Sequence, residues 1–237
     1  HEVIRSVVVN VSNYDTHYRD GMLYVSFSNL IMNETYNITA SFEDLAYMYK
    51  VNSTTAQAHG EIIGEFKLLQ RLIEDALARG DSEIVLNRTF TFTPFYEGKH
   101  ANMDDRCINL TNIPYAFTIR GEGFVIDAAG YSRIFNITSS NVTIDNVILV
   151  GGNASGEYGD GIDMGGAIFW AGPNGIISNS IIEHNNATIG GGIYYNVTAP
   201  DCQIINTTFV ENTAVTHGGA IDCNASRMGL FNTTFDG

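Results

Sequence analysis

One phrase, written three times, governs the second half of this 237-residue chain. Gly165-Gly166-Ala167-Ile168 returns as Gly191-Gly192-Ile193-Tyr194 and again as Gly218-Gly219-Ala220-Ile221, starts that lie 26 and 27 residues apart. A second phrase keeps step: Gly175-Ile176-Ile177-Ser178-Asn179, Cys202-Gln203-Ile204-Ile205-Asn206 and Met228-Gly229-Leu230-Phe231-Asn232. Three residues after each closing Asn stands a large apolar residue, Ile182, Phe209 or Phe235. A fixed period of roughly 20 to 50 residues marks a solenoid, in which each unit buries its apolar face on its neighbours.

Within a unit the apolar residues alternate. In Val142-Thr143-Ile144-Asp145-Asn146-Val147-Ile148-Leu149, positions 142, 144, 147 and 149 read as inward, with Thr143 and Asp145 outward. The alternation breaks at Asn146, which places a corner there. Aligning the units stacks Asn146, Asn179, Asn206 and Asn232 in one column. Asparagine tolerates left-handed backbone, and stacked amides can bond one another along a ladder. Glycine pairs, asparagine corners and about 26 residues per turn suit three short strands joined by tight bends. The predicted fold is all-β, a parallel β-helix rising about 4.8 Å per turn. A β-sandwich would not hold the same residues in register three times. From about Asp81 to the end, roughly six turns are expected, ~30 Å of solenoid.

The Gly-Gly phrase, together with Ile182-Glu183-His184-Asn185 and Phe209-Val210-Glu211-Asn212, resembles the GGAI and FxxN repeats of polymorphic outer-membrane autotransporter proteins. With its many Asn-x-Thr sites, the chain is similar above all to the adhesin-like surface proteins of methanogenic archaea. The resemblance covers about residues 61–237. It implies a right-handed parallel β-helix of the pectate lyase-like type and a role in surface attachment, and it identifies no partner.

Charge narrows the function classes. Lys and Arg total 12 against 26 Asp and Glu, a net charge of -14, which disfavours nucleic acid or anionic lipid as partner. Fourteen Asn-x-Ser/Thr sequons stand at Asn10, Asn33, Asn37, Asn52, Asn87, Asn109, Asn136, Asn141, Asn153, Asn186, Asn196, Asn206, Asn224 and Asn232. That density suits an exported glycoprotein, although β-helix corners favour Asn and strands favour Thr in any case. Asn206 and Asn232, in the ladder column, are expected to be too buried to carry sugar. Cys107, Cys202 and Cys223 have no zinc spacing. Buried free thiols are expected, Cys202 and Cys223 pairing only across a tight corner. No apolar run of ~20 residues could span a bilayer, and no membrane insertion is expected. The chain reads as a segment of a longer exported protein, extracellular and monomeric.

Three regions follow along the chain. Residues 1–58 lack the repeat and read as a β-rich segment or extension. Val7–Val11, Met22–Phe27 and Tyr36–Thr39 alternate like strands, and a capping-box pattern from Ser41 predicts a short helix over Leu45–Met48. Across 59–80, Ile62, Phe66, Leu69, Ile73 and Ala76 fall at helical spacing before Gly80, an amphipathic helix suited to cover the open first rung. Residues 81–237 form the β-helix, with loops expected at Pro94–Arg106 and Asn153–Met164.

Enzymes on this scaffold need carboxylates clustered on neighbouring rungs, for acid–base work or to hold calcium. Stacking on paper sets Asp145 over Ser178, Ile205 and Phe231, Asp222 over Tyr195 and Phe169, Asp201 over Arg227, and His184 over Glu211. No column of the repeat region holds two acids, so no catalytic residue is assigned and a non-enzymatic chain is expected. Glu157, Asp160 and Asp163 in the inserted loop are a candidate calcium site, against the plainer reading of a solvated glycine-rich loop. Phe169, Trp170 and Tyr195 are a candidate lateral aromatic patch, provided that Phe169 and Tyr195 point outward; if the strand faces the other way they are core. The expected function is a cell-surface adhesin whose partner is a glycan or protein on a host or partner cell. A polysaccharide lyase or hydrolase, or a surface-layer spacer, is the alternative.

Overall fold

The structure, a computed structural model, describes residues 64–94, 106–155 and 163–237 in full, and six strands between residues 6 and 60 by their backbone. The chain divides into two compact units, 1–63 and 64–237. The first holds two antiparallel three-stranded sheets. One pairs Tyr36–Ser41 with both Ser6–Val9 and Ala46–Val51, and the other pairs Met22–Phe27 with both Tyr14–Arg19 and Gln57–Gly60. The helix expected over Leu45–Met48 is not formed. Ala46, Tyr47 and Met48 lie in a strand, where Tyr47, Tyr49 and Val51 suit an extended ladder better than a helix, and Leu45 lies outside the described residues.

The second unit is a parallel solenoid. One parallel sheet stacks Glu83–Val85, Phe117–Arg120, Val142–Asp145, Ile176–Ser178, Gln203–Ile205 and Gly229–Phe231. A second stacks Phe90–Thr91, Val125–Asp127, Ile148–Val150, Ile181–Glu183, Thr208–Val210 and Thr234–Asp236. A third stacks Ile108–Leu110, Phe135–Ile137, Ile168–Trp170, Ile193–Tyr195 and Ile221–Cys223. Alternation along these short strands sends every second residue inward. The first sheet thereby builds the column Ile84, Ile119, Ile144, Ile177, Ile204, Leu230, and the second the column Phe90, Ile126, Leu149, Ile182, Phe209, Phe235. Val142, Ile144, Val147 and Leu149 are all buried, as their spacing predicts. Each fully buried side chain of this kind contributes about 1.5 to 3 kcal/mol. On the last rung Leu230 and Phe235 are half exposed.

The glycine phrase is real but its register differs by one residue in the middle unit. Ile168 pairs with Ile193 and Ile193 with Ile221, so Gly190, not Gly191, stands in column with Gly165 and Gly218. The starts are therefore 25 and 28 residues apart, the difference being absorbed in the corners. Gly165, Gly190 and Gly218 share a left-handed backbone, with φ of 71°, 65° and 64°. The glycine after each serves close approach: a Cβ on Gly166 would stand 2.2 Å from the Gly191 carbonyl oxygen, and one on Gly191 2.4 Å from that of Gly219.

Two asparagine columns hold the corner between the first and second sheets and the far end of the second. Asn146, Asn179, Asn206 and Asn232 have φ between 48° and 52°, the predicted corner. The Asn232 amide donates to Asn206 Oδ1 (2.8 Å) and that of Asn206 to Asn179 Oδ1 (3.2 Å); that of Asn179 passes over Asn146 to the Asp145 carboxylate (2.8 Å). Contrary to expectation, this ladder lies outside the core, with Asn179, Asn206 and Asn232 exposed. A left-handed corner turns its side chains toward solvent while its neighbours point in. The buried asparagine among the described residues is Asn185 of an FxxN phrase, and Asn212 of the next is half-buried. Asn185, fully buried, donates to Leu149 O (3.1 Å) and Asn212 Oδ1 (2.9 Å) and accepts from the Gly152 N–H (2.7 Å). Asn212 in turn donates to Ile182 O (2.7 Å).

The helix Glu65–Arg79 closes the first rung and ends at Gly80, whose φ is 83°. Gly80 and Asp81 donate to Leu77 O and Ala76 O, the αL termination that satisfies helix carbonyls. Phe66, Leu69, Ile73 and Ala76 are buried as predicted, and Ile62 lies outside the described residues. Two polar side chains do what a further strand would do. Gln70 accepts from the Asn109 N–H (2.7 Å) and donates to its carbonyl (3.3 Å), while Glu65 accepts from the Thr91 N–H (2.8 Å). Arg88 balances the buried Glu65 charge at 2.8 Å. An open sheet edge is thus covered without a partner strand. Gln70→Ala is expected to cost about 1 to 2 kcal/mol in urea unfolding, because two part-buried backbone groups lose their partner. A loss under about 0.3 kcal/mol would mean that water replaces the glutamine freely.

Candidate functional site

The third sheet carries an outward column in which amides give way to aromatics: Asn109, Asn136, Phe169, Tyr194 and Asp222 in successive strands. Strand alternation puts these side chains outside and Leu110, Ile137, Trp170 and Tyr195 inside, while Cys223, in register with them on the last rung, is exposed. Phe169 and Tyr194 stack with ring centroids 5.6 Å apart and planes at 20°. Arg133 holds one end of the stack. Its guanidinium, buried, lies 5.5 Å from the centre of the Phe169 ring and donates to the carbonyls of Met164 and Gly165. Asn224 holds the other end, donating to the Tyr194 hydroxyl at 2.8 Å. Next in the column the Asn136 amide donates to Asn109 Oδ1 at 3.0 Å.

This arrangement corrects the predicted aromatic patch. Phe169 faces outward as expected, but Trp170 and Tyr195 are core, 0% and 1% exposed, stacked on each other at 5.7 Å. Burial pushes the Tyr195 phenol well above its ordinary pKa. The error is the one-residue register of the middle glycine run: a slip of one in a strand exchanges its faces. Tyr194, expected inside, is the outward partner of Phe169, although only 6% exposed. Asp222 accordingly stacks on Tyr194 and not on Tyr195.

Of the candidate calcium ligands, Glu157 and Asp160 lie outside the described residues. Asp163 is half-buried at the return of the inserted loop, where its carbonyl accepts from the N–H groups of Thr188 and Ile189. The candidate loop Pro94–Arg106 also lies outside the described residues over 95–105. Among the described residues no group of three or more His, Cys, Asp or Glu could hold a metal ion.

The two pairs that stacking predicted, His184 with Glu211 and Asp201 with Arg227, stand where it put them. His184 Nε2 lies 2.9 Å from Glu211 Oε2, both side chains more than half exposed. Asp201 and Arg227 form an exposed pair in which the guanidinium holds the carboxyl below its ordinary pKa. Asp145 pairs with Arg120, which also reaches Glu83. These are exposed or partly exposed contacts of small energetic weight. Contrary to the stacking on paper, one outward column does hold several acids, Asp127, Glu183 and Asp236, but on alternate rungs with Val150 and Val210 between them. No helix among the described residues is long and apolar enough to cross a membrane.

Cys107 and Cys202 are buried and Cys223 is exposed, and Cys202 and Cys223 are not paired with each other. Burial pushes the Cys202 thiol up to about 11. Reaction needs a thiolate within reach of the reagent. In the native protein at neutral pH, a maleimide should therefore modify Cys223 within minutes and Cys202 only after unfolding, as peptide mapping would show. Equal labelling of the two would mean that the last rungs open readily.

Comparison with known protein families, with characterised proteins and with solved structures gave no match.

Proposed function

We propose that this chain is a non-enzymatic segment of an extracellular cell-surface adhesin. It folds as a right-handed parallel β-helix of about six turns whose lateral face contacts a glycan or protein on a host or partner cell. Right-handedness follows the strong preference of crossovers between parallel strands. The observation that carries the functional reading is the outward column Asn109, Asn136, Phe169, Tyr194, held by Arg133 and Asn224. The partly exposed Phe169 ring, backed by the buried Tyr194 and set beside the Asn136 amide, offers what sugar rings and protein side chains both recognise, an apolar face with directional polar partners. The spacing of the stacked acids Asp127, Glu183 and Asp236, which stand on alternate rungs with Val150 and Val210 between them, and the likeness of the repeats to adhesin-like surface proteins of methanogenic archaea, favour attachment over polysaccharide cleavage. The protein acts as a monomer without cofactor, and its partner is neither nucleic acid nor membrane.

The test is a binding screen of the folded protein against glycan arrays and intact cells, with and without calcium, polysaccharide turnover being followed in the same wells. Saturable binding that Phe169→Ala weakens by about tenfold, a loss of about 1.4 kcal/mol, supports the reading. Calcium dependence would bring in Glu157, Asp160 and Asp163. Turnover of any polysaccharide would replace the adhesin with a lyase or hydrolase, and the absence of both would leave a spacer.

A further inference from the structure

The sequons fall into two classes that their spelling does not distinguish. Among the described residues, the amide nitrogens of Asn109, Asn136, Asn141, Asn153, Asn186, Asn206, Asn224 and Asn232 all donate hydrogen bonds. Most of these reach a neighbouring rung: Asn206 and Asn232 in the corner ladder, Asn136 in the lateral column, Asn153 to the Gly130 carbonyl and Asn224 to the Tyr194 hydroxyl. A sugar on such a nitrogen would have to replace or crowd a bond that holds rungs together. Asn87 and Asn196 differ: the Nδ2 of neither donates to any described group.

Both lie where a saccharide has room. Asn87 is exposed at the bend between Glu83–Val85 and Phe90–Thr91, and Thr89 is exposed beside it. Asn196 follows Ile193–Tyr195, and the middle residue of its sequon, Val197, is 69% exposed. At Asn196 the side-chain oxygen is the engaged atom: it accepts from the Thr198 N–H at 3.2 Å and lies 3.1 Å from the Thr198 hydroxyl. The turn therefore fixes the carboxamide by its oxygen and leaves its nitrogen free. It also places the hydroxyl that defines the sequon against the same amide.

We propose that Asn87 and Asn196 are the N-glycan acceptors of the solenoid and that the ladder sequons are structural. The donor is an oligosaccharide linked through phosphate to a lipid. The bond between its anomeric carbon and the phosphate oxygen breaks, a bond from that carbon to Asn Nδ2 forms, and the proton lost by Nδ2 leaves with the released phosphate. This rests on the export proposed above, because only an exported chain meets such a donor. Each sugar then stands on a bend of the solenoid, that on Asn196 just beyond the strand that carries Tyr194.

The experiment is site-by-site occupancy in the full chain secreted from a host with N-glycosylation machinery. Glycans are released enzymatically in heavy-oxygen water, and each converted Asn is read by peptide mass spectrometry. Asn87 and Asn196 are expected to be occupied at least about tenfold more often than Asn206 and Asn232. An Asn87→Gln/Asn196→Gln double variant should lose the corresponding mass and keep its melting temperature. Sugar on the ladder asparagines to the same extent, or on neither Asn87 nor Asn196 while the host's own secreted proteins are glycosylated, overturns the assignment. Failure to bind any cell or glycan with both sites occupied counts against adhesion alone.

Discussion

Asn185→Leu is expected to destabilise the solenoid by about 3 to 5 kcal/mol, although it exchanges one buried side chain for another of similar volume. Asn185 is completely buried, and the substitution removes three bonds at once. The Leu149 carbonyl and the Gly152 N–H lose the Asn185 side chain inside the core, while the Asn212 side-chain oxygen keeps only the Asn185 backbone N–H. Each orphaned buried group costs about 1 to 3 kcal/mol, and the extra apolar surface of leucine offsets only part of the sum. The free energy from urea unfolding of the two proteins measures it. A loss under about 1 kcal/mol would mean that the inner asparagines are replaceable filler. Asn206→Leu in the exposed corner ladder is the comparison, and should cost less because water can meet its partners.

Gly166→Ala should have an effect of the same order through geometry alone. The added methyl would lie 2.2 Å from the Gly191 carbonyl oxygen and 2.6 Å from that of Asn186. Both are backbone atoms of the next rung, so neither can swing aside. To reach ordinary contact the rungs must separate by about 1 Å, which lengthens the ladder bonds of Gly166, Ala167 and Ile168 to Gly190 and Gly192. We expect a loss above about 4 kcal/mol and a fall in melting temperature of roughly 10 °C or more. Gly123→Ala is the control. Its Cβ would meet nothing within 4 Å, so only the strain of φ 79° remains, about 1 to 2 kcal/mol and a few degrees. Equal shifts for the two variants would show that backbone hand, and not rung spacing, is what the glycine phrase protects.

Much of the architecture was legible because it repeats. Asn146 could be named a corner from one break in alternation, and Gly80 a helix end from one glycine after five spaced apolar residues. What misled was the run Gly190-Gly191-Gly192, which offers two ways to lay Gly-Gly over its neighbours. The better signal was the isoleucine column, Ile168, Ile193 and Ile221, which identifies the inward position by like residues. Following it would have placed Trp170 and Tyr195 inside and Tyr194 outside. The ladder asparagines Asn206 and Asn232 were expected inside for a related reason: period tells which residues stack, whereas facing depends on the hand of the bend. The lateral site was legible only at Phe169. Arg133 and Asn224, which hold its stack, come from separate turns and share no short motif with it. Gln70 and Glu65 read as ordinary polar positions on an amphipathic helix, and nothing local marks them as surrogates for a strand.

The corner ladder also has a direction. Asn232 donates to Asn206, Asn206 to Asn179 and Asn179 to Asp145, so every N–H points the same way along the axis. Amide dipoles aligned head to tail reinforce one another and gather partial positive charge at the end toward which the N–H groups point, as they do at the start of an α-helix. A neutral acceptor there would simply close the chain. Instead the chain ends on the carboxylate of Asp145, which also takes the Ser178 hydroxyl and the Arg120 guanidinium. Asp145 is therefore to this ladder what an acidic N-cap is to a helix, and the solenoid's outer edge is a small electrical dipole with its counter-charge built into the fold.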